Sequence, residues 1–233
     1  MHLGFQKRRP GFSLIELLAV IAVVAILACI LHATLTGARA TARQAKCASN
    51  LRQIGTGMML FCQSNAGQFP KTTHDGKSSE SWVYTLAPYI QNVDEVRICP
   101  GDPRADDRLE AGLSSYVMNE YIAVTARSFN FATGQFVVNE NYTNIMSLPQ
   151  PGDTITVFTG ADDLSVNISY DHTHSRTWIG STGYASAKMD IQPDRHRGGA
   201  NYLYADGHVD FMLASELRAT FARGINPAKP PGT

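Results

Sequence analysis

Apolar residues are distributed along the chain in two regimes. Residues Phe12 to Leu31 read FSLIELLAVIAVVAILACIL, a run with a single charged residue, Glu16. At about 1.5 Å per residue, roughly twenty residues of helix cross a bilayer core. From Leu31 to about Asn65 there is no proline, and Ala, Arg, Gln, Leu and Met dominate. These are good helix formers. Cys47, Leu51, Ile54, Met58 and Phe61 recur at alternating four- and three-residue spacings, which draws one apolar stripe along a helix. Gly55 and Gly57 either weaken that helix or let another segment approach it closely. Asn65-Ala66-Gly67, with Pro70 just beyond, is a stop signal. The pattern predicts one helix from Phe12 to about Asn65. Its first half is apolar all round and its second half is amphipathic.

The remainder is polar and broken into short pieces. Ser81 to Ile90 (SWVYTLAPYI) predicts a short helix and turn with Trp82 as a core anchor. Cys99-Pro100-Gly101-Asp102 is a turn, and the charged stretch Asp102 to Glu110 is expected to be exposed. Short strands are expected at Ser115–Asn119 and Phe136–Val138, a loop at Pro149–Asp153, and a firm β-branched strand at Thr154–Thr159. Ala161 to Ile191 is irregular and polar, and is expected to form an inserted loop region. Asn201–Ala205 and His208–Met212 flank Asp206-Gly207, a hairpin signal because both central turn positions require positive φ. A helix is expected over Ala214–Ala222 and a loose, flexible tail from Asn226 (226–233). The fold class is α+β: a long N-terminal helix packed on a small antiparallel sheet. The expected segments are a leader (1–11), a membrane helix (12–31), its continuation (32–66) and a globular head (67–225).

Charge adds little. Twenty Lys and Arg balance twenty Asp and Glu, so nothing global favours nucleic acid. Arg104, Arg108, Arg127, Arg195 and Arg197 are scattered among acids and draw no basic stripe; they read as solvated. There is no Gly-x-Ser-x-Gly motif and no Cys/His signature of a nucleophile, so no catalytic residue is assigned. Gly55-Thr56-Gly57 lacks the rest of a phosphate loop and falls inside the helix.

Of four cysteines, Cys29 belongs to the apolar run. Cys47, Cys62 and Cys99 remain, an odd number. In an oxidising compartment one pair can bridge, with Cys47–Cys99 the expected pair. Reduced buried thiols are the alternative. His172, His174, His196 and His208 invite a zinc reading with Asp206 or Asp171, but their intervals match no regular motif. The simpler expectation has His196 hydrogen-bonding a neighbouring loop, in the vicinity of Asp206, and fixing the hairpin, and leaves His172 and His174 exposed. Asp190, Asp194, Asp206 and Asp210 give a calcium alternative, without a regular calcium-loop spacing; its core set is Asp194, Asp206 and Asp210. No cofactor is expected otherwise.

Lys7, Arg8, Arg9, Pro10 and Gly11 precede the apolar run, and Arg39, Arg43 and Lys46 follow it. Positive charge alone therefore leaves the orientation open. A secretory signal would be cut beyond the run, and His32-Ala33-Thr34 does not forbid this. Gly11, then Phe12-Ser13-Leu14-Ile15-Glu16 and unbroken apolar sequence, resembles the type IV prepilin signal instead. That resemblance implies cleavage after Gly11 on the cytoplasmic side and methylation of Phe12. It also implies retention of the helix and pairing of Glu16 with the N-terminal amine of a neighbouring subunit. Further along, Cys47-Ala-Ser-Asn50-Leu51-Arg-Gln53-Ile54-Gly55, Phe69-Pro70, Cys99-Pro100, Ser115-Tyr116 and Asn119 resemble a large group of prepilin-like proteins. Their C-terminal signature is His-x9-Asp-Gly, here His196 to Asp206-Gly207. Tyr121–Gln150 and Ala161–Ile191 carry no part of the resemblance. Pseudopilins of type II secretion systems share the plan of a long helix on a small antiparallel sheet, and some hold calcium in a C-terminal loop.

The resemblance implies a structural subunit, a pseudopilin or minor pilin, with no catalysis of its own. Its expected partners are a prepilin peptidase/N-methyltransferase, other pilin or pseudopilin subunits and an inner-membrane assembly platform. Its expected place is the inner (cytoplasmic) membrane, crossed once, with the head outside the cytoplasm. The alternative is a membrane-anchored extracytoplasmic binding protein or metal-dependent enzyme that uses the same export signal.

Overall fold

A computed structural model describes residues 13–73, 81–166 and 170–233. Its elements, in chain order, are α1 (Leu14–Ser64), α2 (Trp82–Thr85), α3 (Val93–Val96), α4 (Ala105–Glu110), β1 (Tyr116–Met118), α5 (Glu120–Ala123), β2 (Ala126–Asn130), β3 (Gln135–Glu140), β4 (Ile155–Thr159), α6 (Gly183–Asp190), β5 (Gly199–Tyr204), β6 (Val209–Leu213) and α7 (Ala214–Ala222). The fold is α+β. The chain divides into two units, Met1–Arg39 and Ala40–Thr233.

In the first unit, α1 exposes its apolar residues on every side. Leu17, Leu18, Ile21, Val24, Leu27 and Ile30 are all exposed. Thr34 and Thr36 turn their hydroxyls back onto the carbonyls of Ile30 and His32, at 3.2 and 3.0 Å, so their polarity is satisfied within the helix. By length and composition α1 can cross a membrane.

In the second unit, the end of α1 joins a four-stranded antiparallel sheet of order β1-β4-β5-β6. Strand side chains alternate between faces. Tyr116, Met118, Val157 and Leu203 point into one core with Cys47, Leu51, Ile54 and Met58 of α1, together with Trp82 and Leu86. Val117, Phe158, Ala200 and Tyr202 point into a second core with Trp178, Leu217 and Phe221. The sheet is thus covered on both faces, which explains why β4 is buried along its whole length. The α1 stripe falls as its spacing requires: Cys47, Leu51 and Ile54 are fully buried.

Helix α1 ends where the sequence signals. Ala66 and Gly67 take positive φ, and the Gly67 N–H donates to the Cys62 carbonyl at 2.8 Å, closing the last turn. Gly55 is a point of close approach. A Cβ there would lie 2.7 Å from Leu203 Cδ1 and 3.2 Å from the Gly207 carbonyl. The hairpin forms, with β5 and β6 paired from Gly199–Leu213 to Leu203–Val209, but its turn differs from expectation: Gly207 takes positive φ and Asp206 does not, and the Gly207 N–H donates back to the Tyr204 carbonyl at 3.0 Å.

Three other segments differ from expectation. Asp102–Glu110 is not a solvated stretch: it contains α4, and Asp102 and Arg108 are buried as an ion pair. The 161–191 region contains α6 and places Trp178, Ala187 and Ile191 in the second core, while Asp171 and Thr173 are buried along the edge of β1, where the Met118 N–H donates to the Asp171 carbonyl at 2.9 Å and the Met118 carbonyl accepts from the Thr173 N–H at 2.8 Å. The tail from Asn226 is tied down. The Ala228 carbonyl accepts from Asn119 Nδ2 at 2.6 Å, and Asn226 Nδ2 donates to the Ser175 carbonyl at 2.7 Å. A two-stranded sheet, β2 with β3, carries Phe136–Val138.

Candidate functional site

Glu16 lies in the first turn of α1. Its Oε2 accepts the Ser13 backbone N–H at 2.9 Å, while the Ser13 carbonyl accepts from the N–H groups of Glu16 and Leu17. A carboxylate at a helix N-terminus binds an otherwise unpaired donor and faces the positive end of the helix dipole. The same position suits a further cation close to the start of the helix. A carboxylate in the middle of a membrane helix costs about 2.5–3.5 kcal/mol, so its partners decide whether it is tolerated. Gly11 and Phe12, the expected processing pair, lie outside the described residues.

The His-x9-Asp-Gly signature brackets β5. At its far end Asp206 Oδ1 accepts the His208 N–H at 3.0 Å and meets His208 Nδ1 at 2.6 Å. Burial raises the Asp206 carboxyl, but these His208 contacts outweigh it and hold the group below its ordinary value. At the near end His196 pairs by its backbone with Gly199, through Arg197 and Gly198, both at positive φ. The His196 side chain meets a neighbouring loop as expected, but that loop is the Cys99 turn and not the Asp206 end of the hairpin. The ring is buried, with Nε2 3.3 Å from Cys99 Sγ.

Cys47, Cys99 and His196 form one buried cluster, their ligand-type atoms all within 4.8 Å of one another. Both cysteines are free thiols, brought together without an S–S bond. The Tyr116 hydroxyl donates to Cys47 Sγ at 3.4 Å. A hydrogen bond from Cys99 lowers the pKa of the Cys47 thiol against the effect of burial, with His196, Tyr116 and Asn201 assisting. Its role as the proton-holding partner, together with burial, pushes Cys99 up. Cys62 is buried apart from this cluster, and desolvation raises it to about 11.

Buried arginines fix the two loops that meet here. Arg108 Nε lies 2.8 Å from Asp102 Oδ2, and Arg195 Nη1 lies 3.8 Å from Asp102 Oδ1. Arg195 also donates to the Gly160 carbonyl at 2.6 Å and pairs with Asp162. Asp102 thus joins the loop after Cys99 to the residue before His196. Sequence pattern alone marks Arg108 and Arg195 as solvated; only their pairing across the fold identifies them as interior.

The remaining sequence candidates are dispersed. Asp194 accepts from Gln192, Asp210 from the Phe211 N–H and Asp190 from Trp178 Nε1 and the His174 N–H. Among the described residues Asp194, Asp206 and Asp210 form no common ligand group. His172 contacts Asp171 at 3.0 Å and its side chain is only 12% exposed, against the expectation of an exposed ring; His174 is exposed. Neither joins His196 or His208 in a ligand group.

Residues 6–30 match the prokaryotic N-terminal methylation motif, and residues 36–96 match a family described as protein of unknown function (DUF1559). No curated protein and no solved structure matches the chain. The second match spans the α1 stripe, α2 and α3, so it coincides with much of the core that faces Cys47. The chain therefore carries a prepilin-type methylation signal followed by a DUF1559 segment, on an α+β framework of the type IV pilin-like kind.

Proposed function

We propose that the protein is a structural filament subunit, a pseudopilin or minor pilin of a type IV pilus or a type II secretion-like filament. A prepilin peptidase cuts after Gly11 and methylates Phe12. The chain then waits in the inner membrane, crossing it once, with Ala40–Thr233 outside the cytoplasm. An assembly platform extracts it into a filament of pilin or pseudopilin subunits.

The observation that carries this reading is Glu16. It is the one charged residue in an apolar helical run whose large side chains are left uncovered. An anchor alone has no need of a carboxylate at that depth. A neighbouring subunit's N-terminal amine would neutralise it, so only a docked subunit satisfies both charges. Helix packing would at the same time cover the exposed Leu, Ile and Val side chains.

Replacing Glu16 with Ala separates the two roles. Membrane insertion of the variant persists and is eased, by up to about 2.5–3.5 kcal/mol. Incorporation into filaments, read by sedimentation and by crosslinking between subunits, is lost. Normal incorporation of Glu16→Ala would contradict the reading.

A further inference from the structure

The arrangement of Cys47, Cys99 and His196 does more than a pair of thiols requires. Three residues from α1, the turn after α3 and the loop before β5 converge side chains in the interior. Their exposures are 0%, 0% and 4%. Both sulfurs have polar partners: the Tyr116 hydroxyl donates to Cys47 Sγ at 3.4 Å, and Cys99 Sγ meets His196 Nε2 at 3.3 Å. Donors of this kind stabilise thiolate ligands and fix their orientation.

The imidazole is seated with equal care. A Cβ on Gly101 would lie 2.6 Å from His196 Cε1, so the ring occupies space that only glycine leaves open. The flanking Arg195 is held by Asp102, on the same turn as Cys99.

We propose that Cys47 Sγ, Cys99 Sγ and His196 Nε2 bind a thiophilic d10 cation, Zn2+ or Cu+. Ligands about 2.0–2.3 Å from one ion lie roughly 3.5–3.9 Å from each other. The observed 3.3 Å between Cys99 Sγ and His196 Nε2, and the 4.8 Å limit on the whole group, leave only small adjustments. Soft sulfur with imidazole selects these ions over calcium or magnesium. Two thiolates and a neutral imidazole balance the charge of a Zn2+ ion, and the thiol protons leave to solvent as it binds. A disulfide would use both sulfurs and leave His196 Nε2 buried against a weak acceptor. The bound ion would clamp α1 to the turn after α3 and to the start of β5. This inference does not depend on filament assembly.

The test uses the full-length protein in detergent, reduced and kept anaerobic, loaded separately with Zn2+ and with Cu+ and then desalted. Elemental analysis is expected to find one ion per chain in at least one arm, and the arm that retains it names the metal. Cys47→Ser, Cys99→Ser and His196→Gln each reduce retention at least tenfold. Circular dichroism establishes that each variant is folded. Should the variants fail to fold, Co2+ added to the wild-type chain must still give sulfur-to-cobalt charge-transfer absorption. Three results would overturn the proposal: no retained ion in either arm, retention unchanged in folded variants, or a Cys47–Cys99 disulfide in protein isolated from its native membrane.

Discussion

Asp102 shows how much one side chain decides in this chain. It faces Arg108 at 2.8 Å and Arg195 at 3.8 Å, and all three side chains are almost fully buried. A buried ion pair adds little net stability relative to an apolar replacement of the whole set, but removing one partner strands the other charge. Asp102→Ala is therefore expected to cost about 3–5 kcal/mol, read as a lowered denaturation midpoint of the full-length protein in detergent. A change below about 1 kcal/mol would mean that solvent reaches the two guanidinium groups. This network was not legible in the sequence. Arg108 and Arg195 are 87 positions apart by numbering and carry no periodic signal; only the folded turns bring them to one carboxylate. The same holds for Cys99 and His196. Glu16 was legible because its meaning is local: one charge in an apolar run, a fixed distance after Gly11.

Among the elements, the second half of α1 and the β5–β6 hairpin were readable from pattern. A four-three spacing specifies a buried stripe, and Asp-Gly between alternating residues specifies a turn. Gly55 is where the two elements approach. Any Cβ at this position would sit 2.7 Å from Leu203 Cδ1 and 3.2 Å from the Gly207 carbonyl, so a branched side chain must push the hairpin away. Gly55→Val is expected to lose about 1–3 kcal/mol in chemical denaturation, despite the gain in helix propensity over glycine. Unchanged stability would show that the hairpin yields freely.

The packing of residues 161–191 was missed for a different reason. Residues 161–191 bury Asp171, Thr173, Ser175 and Asp190, which are satisfied by particular hydrogen bonds and produce no apolar rhythm. The C-terminal segment behaves likewise. Asn119 Nδ2 bonds both the Ile155 and Ala228 carbonyls. Removing residues 226–233 takes away one acceptor from a fully buried amide and is expected to cost about 1–3 kcal/mol. A truncated chain as stable as the full one would restore the picture of a loose tail.

For the whole molecule, the two units meet the problem of apolar surface differently. Ala40–Thr233 buries its own on both faces of a sheet. The described part of Met1–Arg39 leaves Leu14, Ile15, Leu17 and their successors uncovered. Such a helix is complete only in a bilayer or against other helices. The prepilin-type motif over residues 6–30 supplies a chemical reason for the second environment: cleavage after Gly11 would create a cationic amine near Glu16. Intact-mass and N-terminal peptide mass spectrometry of the protein, produced with and without its prepilin peptidase, tests this most directly. The account predicts a mature chain that begins at N-methylated Phe12 when the peptidase is present, and an unprocessed chain without it. A chain still beginning at Met1 in the presence of the peptidase, or one cut beyond the apolar run, would contradict it.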